Sequence, residues 1–423
     1  MRVLLVNTSE RMGGAAVATT RLMEALKNNG IKVKLLVRDK QTDNISVVQL
    51  ESNYLHNVWN FVWERILIWR ANHFKKANLF AVDIANTGTS ITSLSEFKEA
   101  DIVHLHWINQ GMLSLKNIQK ILASGKPVVW TMHDMWPCTG ICHHAYTCTR
   151  FKEECGNCRF LAYPKQHDLS YRVLKKKKNL YAQANIEFVV VSNWLASRVK
   201  DSTLLKDKNI TIIPNPLPFD IFIIRNRIHC RQKLSLPLSK HILIFGAARI
   251  DADIKGFQYL IDSICYLINN EIILAEKLHL IIFGGLKSSM PFFNTIPVSY
   301  TYCGIIKDIN MISELYSASN VVVSSSLYET FGQTLIEAMA CGCMPVSFNN
   351  SGQTDIIDHK QTGFLAEYLS VESLAEGIRW AMFEAPKQIS PEDIRKKAVT
   401  RYSESRIAKK YIEIYDRIIS DYV

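Results

Sequence analysis

Short runs of consecutive apolar residues alternate along this chain with longer stretches whose apolar positions recur at helical spacing. Residues 3–6 are the first run, and a polar loop with Gly13 and Gly14 separates them from a helical pattern over 15–29 that Gly30 closes. Residues 31–37, 100–106, 127–132 and 188–191 repeat the scheme. A strand that is apolar at successive positions is buried on both faces, which requires helices above and below a parallel sheet. The pattern therefore predicts an α/β, doubly wound domain.

The alternation ends at 210–213 in Pro214, Pro216 and Pro218, which read as a domain linker, and then begins again. Strands are expected at 241–246, 278–283, 320–324 and 344–348, with a helix over 255–269. The economical reading is two consecutive Rossmann-like domains, 1–216 and 217–403. A last helix, 403–422, is long enough to cross back, so that 404–423 pack on the first domain.

Composition narrows the class. Of 423 residues, 48% are hydrophobic and 21% charged, which excludes disordered, collagenous and disulfide-stapled chains. The longest uncharged stretch, 288–306, is interrupted by Pro291 and Pro297 and is no membrane span. The N-terminus is charged too early for a signal peptide, so a cytoplasmic location is expected. A net charge of +11 favours anionic partners without choosing among them.

The chemistry concentrates after the 320–324 strand, in Tyr328-Glu329-Thr330-Phe331-Gly332-Gln333-Thr334-Leu335-Ile336-Glu337. A glycine at a helix entrance leaves backbone N–H groups facing a ligand, and the helix dipole favours phosphate there. Glu329 before the helix and Glu337 two turns along it each offer paired acceptor oxygens, which suit vicinal hydroxyls. Arg249 and Lys255 follow the 241–246 strand, and two cations at a strand end can neutralise a diphosphate. The full G-x-G-x-x-G fingerprint of nicotinamide enzymes is absent.

The Glu329–Glu337 segment resembles the E-x-F-G-x-x-x-x-E signature of glycosyltransferase family 4, retaining nucleotide-sugar enzymes of GT-B architecture. The resemblance implies two Rossmann-like domains facing a central cleft, with the C-terminal helix crossing back to the first. It places Glu329 at the donor sugar, Gly332, Gln333 and Thr334 at the diphosphate and Glu337 on the ribose, with Phe331 among the donor-binding residues. Arg249 and Lys255 then stabilise the leaving nucleotide. Gly14 resembles the family's N-terminal glycine loop, and His133 matches a histidine near the donor sugar. His106 and Trp107 are expected to line the acceptor side. Ser351 and Asp355 stand where the family often has Gly and Glu. No metal is required for catalysis in the family, and Asp251 and Asp253 read as loop residues rather than ligands.

Two features lie outside that resemblance. Cys142, Cys148, Cys155 and Cys158 have spacing open to a structural zinc site, to reduced thiols or to disulfides, with His143 or His144 as substitute ligands. Residues 54–76 mix Trp59, Trp63 and Trp69 with Arg65, Arg70, Lys75 and Lys76, which suits either an anionic membrane surface or a core helix with a basic outer face.

The expected function is retaining transfer of a sugar from a UDP- or GDP-sugar to a hydroxyl of a glycan or lipid-linked glycan, in surface polysaccharide biosynthesis. The setting is cytoplasmic, at the inner face of the membrane, with no nucleic acid partner. The alternatives are a nucleotide-sugar epimerase or other GT-B enzyme, and a basic nucleic-acid-binding protein with a zinc knuckle.

Overall fold

A computed structural model describes residues 1–50, 54–182, 184–287 and 293–421. The chain forms two compact units, Met1–Asn215 with Ile407–Val423, and Pro216–Arg406.

The first unit carries a parallel sheet of seven strands: β1 (Arg2–Ser9), β2 (Lys32–Asp39), β3 (Val47–Gln49), β4 (Ile102–Leu105), β5 (Val128–Met132), β6 (Ile186–Val190) and β7 (Ile210–Ile212). Their spatial order is β3-β2-β1-β4-β5-β6-β7. β1, β4 and β5 are buried along nearly their whole length, as their continuous apolar runs require. The Glu404–Ser420 helix covers this sheet, placing Ile407, Tyr411, Ile414, Tyr415 and Ile418 in one core with Leu5, Leu22, Leu35 and Val129. Residue 422, the end of the expected last helix, lies outside the described residues.

The second unit has six parallel strands: β8 (His241–Arg249), β9 (Leu278–Gly285), β10 (Ser299–Tyr302), β11 (Val321–Ser324), β12 (Met344–Phe348) and β13 (Phe364–Ala366). Their order is β10-β9-β8-β11-β12-β13. The short outer strands β3, β10 and β13 carry no long apolar run, which is why the hydrophobic pattern passes over them. Of the uncharged stretch 288–306, only 293 onward is described. No helix among the described residues is long and apolar enough to cross a membrane.

The expected helix at Lys255 begins two residues later, at Phe257. Lys255 instead ends a short 3-10 turn, and Gly256 follows with φ 62°. A Cβ on Gly256 would lie 2.0 Å from the Ser325 carbonyl oxygen, so only glycine lets this loop touch the exit of β11.

The Tyr54–Ala71 helix is inverted relative to an ordinary surface helix. Asn60, Glu64 and Arg65 are buried, whereas Leu55, Val58, Trp59, Val62, Trp63 and Ile66 are exposed. The buried charges are partnered: Glu64 Oε1 accepts from the Ile84 and Ala85 N–H groups at 2.9 and 2.7 Å, and Arg65 pairs with Asp83, although Glu64 Oε2 and Arg65 Nε have no hydrogen-bond partner. Trp59 and Trp63 stack outside with centroids 5.4 Å apart.

Candidate active site

In each sheet the strand order reverses at one place, between β1 and β4 in the first and between β8 and β11 in the second. Chains leaving the carboxyl ends of such neighbours diverge, and the crevice they leave is where open α/β sheets take ligands.

At the second unit's reversal the motif residues assemble. Lys255 Nζ pairs with Glu329 Oε1, which also accepts from Ser326 Oγ at 3.0 Å. The Glu329 backbone is clamped from the next loop: its N–H donates to Ser351 Oγ at 2.9 Å, and its carbonyl accepts from the Gly352 N–H at 2.8 Å. A Cβ on Gly352 would sit 2.3 Å from the Thr330 oxygen, so this approach excludes any other residue. Gln353, fully buried, accepts from Ser324 Oγ at 2.6 Å and ties the same loop to β11. Ser351 thus fills a left-handed position, φ 59°, and adds a hydroxyl that glycine lacks.

Gly332 precedes the Gln333–Ala340 helix, and no side chain caps that helix. Gln333 and Thr334 form its first turn, with the positive end of the dipole at the crevice. Glu337, one turn deeper, is only 8% exposed, and the Tyr316 hydroxyl donates to its Oε2 at 3.3 Å. Phe331 is buried edge-on against Tyr402, with centroids 5.7 Å apart. Arg249 ends β8, exposed, and its guanidinium bonds Asp251 at 3.1 Å. Asp251 also accepts the Lys287 N–H at 3.1 Å.

At the first unit's reversal, Gly14 opens the helix after β1. Asn7 Oδ1 accepts the Trp107 N–H at 2.9 Å, and Thr8 donates to the Trp107 carbonyl, joining the ends of β1 and β4. Trp107 Nε1 donates to Asp134 Oδ2 at 2.8 Å. His106 Nδ1 lies 3.0 Å from His133 Nε2, and the two rings stack. Crowding by protein atoms holds His133 down at about 4 although Asp134 pulls the other way, so the ring is neutral near pH 7.

His143 is engaged elsewhere than at the cysteines. Its Nδ1 is 2.7 Å from Asp134 and its Nε2 is 2.6 Å from Asp83, which occupies both ring nitrogens. Burial opposes charge on this ring, but the two carboxylates outweigh it and raise it to about 10. Asp83 and Asp134 were not singled out from sequence as partners of His143. Asp134 had a signal in its position beside His133 at a strand end; Asp83 had none.

All ten cysteines are free thiols. Cys142, Cys148, Cys155 and Cys158 line one small cavity of about 20 Å³, room for roughly one water-sized body. Burial pushes Cys142 up strongly and Cys155 and Cys158 up to about 11, so they are protonated thiols near neutrality. Among the described residues, no three His, Cys, Asp or Glu side chains are grouped to hold a metal ion.

Residues 12–220 match the family described as Glycosyltransferase Family 4, and residues 230–400 match Glycosyl transferases group 1. An uncharacterized glycosyltransferase of Methanocaldococcus jannaschii is 22% identical over 77% of this chain and 85% of its own length. The capsular polysaccharide biosynthesis glycosyltransferase CapM of Staphylococcus aureus is 23% identical over 59% of this chain and 67% of its own. Among solved structures, sucrose-phosphate synthase from Thermosynechococcus elongatus superposes with TM-score 0.70 at 17% identity, covering 99% of both chains. Anabaena HepE in complex with UDP and glucose superposes with TM-score 0.62 at 15% identity, over 99% of this chain and 100% of its own. With two Rossmann-like parallel sheets and family matches across nearly its whole length, the chain belongs to glycosyltransferase family 4, on the GT-B fold.

Proposed function

We propose that this glycosyltransferase transfers a sugar, with retention at the anomeric carbon, from a nucleotide-diphosphate sugar to a hydroxyl of a glycan or lipid-linked glycan. Surface polysaccharide biosynthesis is the setting, and the name of the Staphylococcus aureus relative supports it. The observation that carries the donor assignment is the grouping of Lys255, Glu329, the uncapped Gln333–Ala340 helix and Glu337 at one sheet's order reversal. UDP is the favoured nucleotide because a structural neighbour holds UDP and glucose.

In the reaction, the acceptor oxygen bonds to the anomeric carbon as the bond from that carbon to the phosphate oxygen breaks. The acceptor proton passes to the departing phosphate on the same face. Lys255 and Arg249 stabilise the charge that builds on the diphosphate, and the helix N-terminus contributes fixed dipoles. Glu337 holds the ribose hydroxyls and Glu329 the donor sugar; in the first unit His133 and Trp107 are the ligand-side groups, with His106 buried against His133.

The inverted Tyr54–Ala71 helix gives this unit an outward apolar face, with Arg70, Lys75 and Lys76 exposed at its end. That composition suits an anionic membrane surface carrying a lipid-linked acceptor.

The test is a thermal-shift panel of UDP, GDP, ADP and CMP on the wild type and Glu337→Ala. A ligand at a hundred times its Kd adds about 2.7 kcal/mol to stability. One nucleotide diphosphate raising the wild-type midpoint but not the variant's supports the donor site; no shift with any of them overturns it.

A further inference from the structure

His106 and His133 meet through ring nitrogens, Nδ1 of the first 3.0 Å from Nε2 of the second. Such a contact needs one N–H and one lone pair, so two neutral rings can make it in only two ways. The His106 main chain is held on both sides: its backbone N–H donates to the Val6 carbonyl at 3.0 Å, and its backbone carbonyl accepts from Trp130 Nε1 at 3.1 Å. Its ring lies 4.2 Å from that of His104. His104 is itself fixed by Tyr415 at Nδ1, 2.7 Å, and by Thr131 at Nε2, 2.8 Å, while Thr131 meets the Tyr411 hydroxyl at 2.9 Å.

The remaining nitrogen of His106 decides between the two arrangements. His106 is 3% exposed, and its Nε2 is buried with no hydrogen-bond partner. If His133 donated, the His106 proton would sit on that Nε2 as an orphaned buried N–H, the rarer kind of unsatisfied group. If His106 donates, the same atom is a bare lone pair, which an apolar surrounding tolerates better.

We propose that His106 is a positioning residue that donates from Nδ1 to His133 Nε2 and so fixes His133 with its proton on Nδ1. His133 then acts at the sugar-transfer site as a neutral hydrogen-bond donor to an oxygen of the ligand, not as a base. No described residue takes up His133 Nδ1, and His133 is partly exposed at the end of β5. Burial of His106 and the protein atoms crowded around His133 keep either ring from taking a second proton. The functional half of this inference rests on the transferase reading; the tautomer does not.

The experiment is long-range proton–nitrogen correlation on protein carrying labelled histidine, with His133→Gln to assign one of the twelve histidines. The expected wild-type spectrum shows His133 Nε2 as an unprotonated nitrogen and Nδ1 as a protonated one, and His106→Ala shifts the proton to Nε2. Protonated Nε2 on wild-type His133 overturns the inference whether or not the enzyme turns over. Turnover of UDP-glucose, hydrolysis included, is the second readout. His106→Ala should lower kcat by about 10²-fold with KM little changed. His106→Asn, whose amide nitrogen stands near the Nδ1 position, should restore most of it. Equal kcat in wild type and His106→Ala overturns the positioning role, and a wild type without turnover counts against the transferase reading alone.

Discussion

Lys255 is ion-paired with Glu329 at the second sheet's order reversal, so the cation expected at the diphosphate is held by the carboxylate expected at the sugar. Both groups are about a quarter exposed or less, and Ser326 steadies the carboxylate from the other side. The pair keeps each charge compensated until a ligand offers a better partner to both.

Lys255→Ala should therefore lower kcat/KM for the nucleotide sugar by about 10²–10³-fold, the usual loss for one electrostatic contact to a developing anion. Urea denaturation should shift by less than about 1 kcal/mol, because a half-buried pair contributes little net stability. A stability loss large enough to account for the inactivity would assign Lys255 a structural role instead.

The buried bridge Asp83–His143–Asp134 predicts a pH trend. His143 binds its proton far more tightly folded, at about 10, than unfolded, at its ordinary 6.5. Its stabilisation is complete below about 6.5 and is lost as pH rises through about 10. Glu64 acts in the same direction: burial and then Asp83 raise it to about 8, against Arg65. Unfolding free energy should fall steadily from pH 6.5 to 10, and His143→Ala should flatten that slope. The variant should also lose about 3–5 kcal/mol, because it leaves two buried carboxylates facing each other. A slope unchanged in the variant would remove His143 as its source.

The cysteine cavity predicts a metal stoichiometry. A zinc ion there would have to displace the thiol protons and draw the four sulfurs inward, since the side chains are not now grouped as ligands. If the thiols rearrange to bind it, protein purified without chelators carries about one zinc per chain, released by a mercurial in step with the thiols. Metal-free protein whose thiols react only on unfolding would make the cluster a reduced packing element.

The outward face of the Tyr54–Ala71 helix predicts binding to vesicles. Trp59→Ser with Trp63→Ser should weaken cosedimentation with anionic vesicles by about 10-fold or more while leaving the melting midpoint unchanged. Raising the salt should weaken the wild type further, at about 1 kcal/mol for each of Arg70, Lys75 and Lys76. Equal binding by the double variant would detach this face from any membrane role.

What could be read in advance from the sequence followed how local the chemistry is. Glu329, Gly332 and Glu337 lie in one short segment, so their shared crevice was legible as a motif. The groups that hold them were not: Gln353 bonds Ser324 across 29 positions. In the first unit, likewise, Tyr415 reaches His104 across 311. His143 looked like a ligand because its neighbours are cysteines, but Asp83, sixty residues earlier, takes its second nitrogen. The aromatic-basic helix fitted two readings for the same reason. Its buried side is decided by the backbone of Ile84 and Ala85 and by Asp83, and none of these lies in its own sequence.

The Glu404–Ser420 helix fills the core of a unit whose other 215 residues are made first. At about 5–20 residues per second, the ribosome needs roughly 10–40 s to make the intervening second unit. During that time Leu5, Leu22, Leu35 and Val129 lack their last covering layer, so the earlier-made half of the chain is the later to finish folding. A nascent chain stalled after the second unit should therefore engage chaperones through its first 215 residues, and supplying the missing helix as a separate peptide should release them.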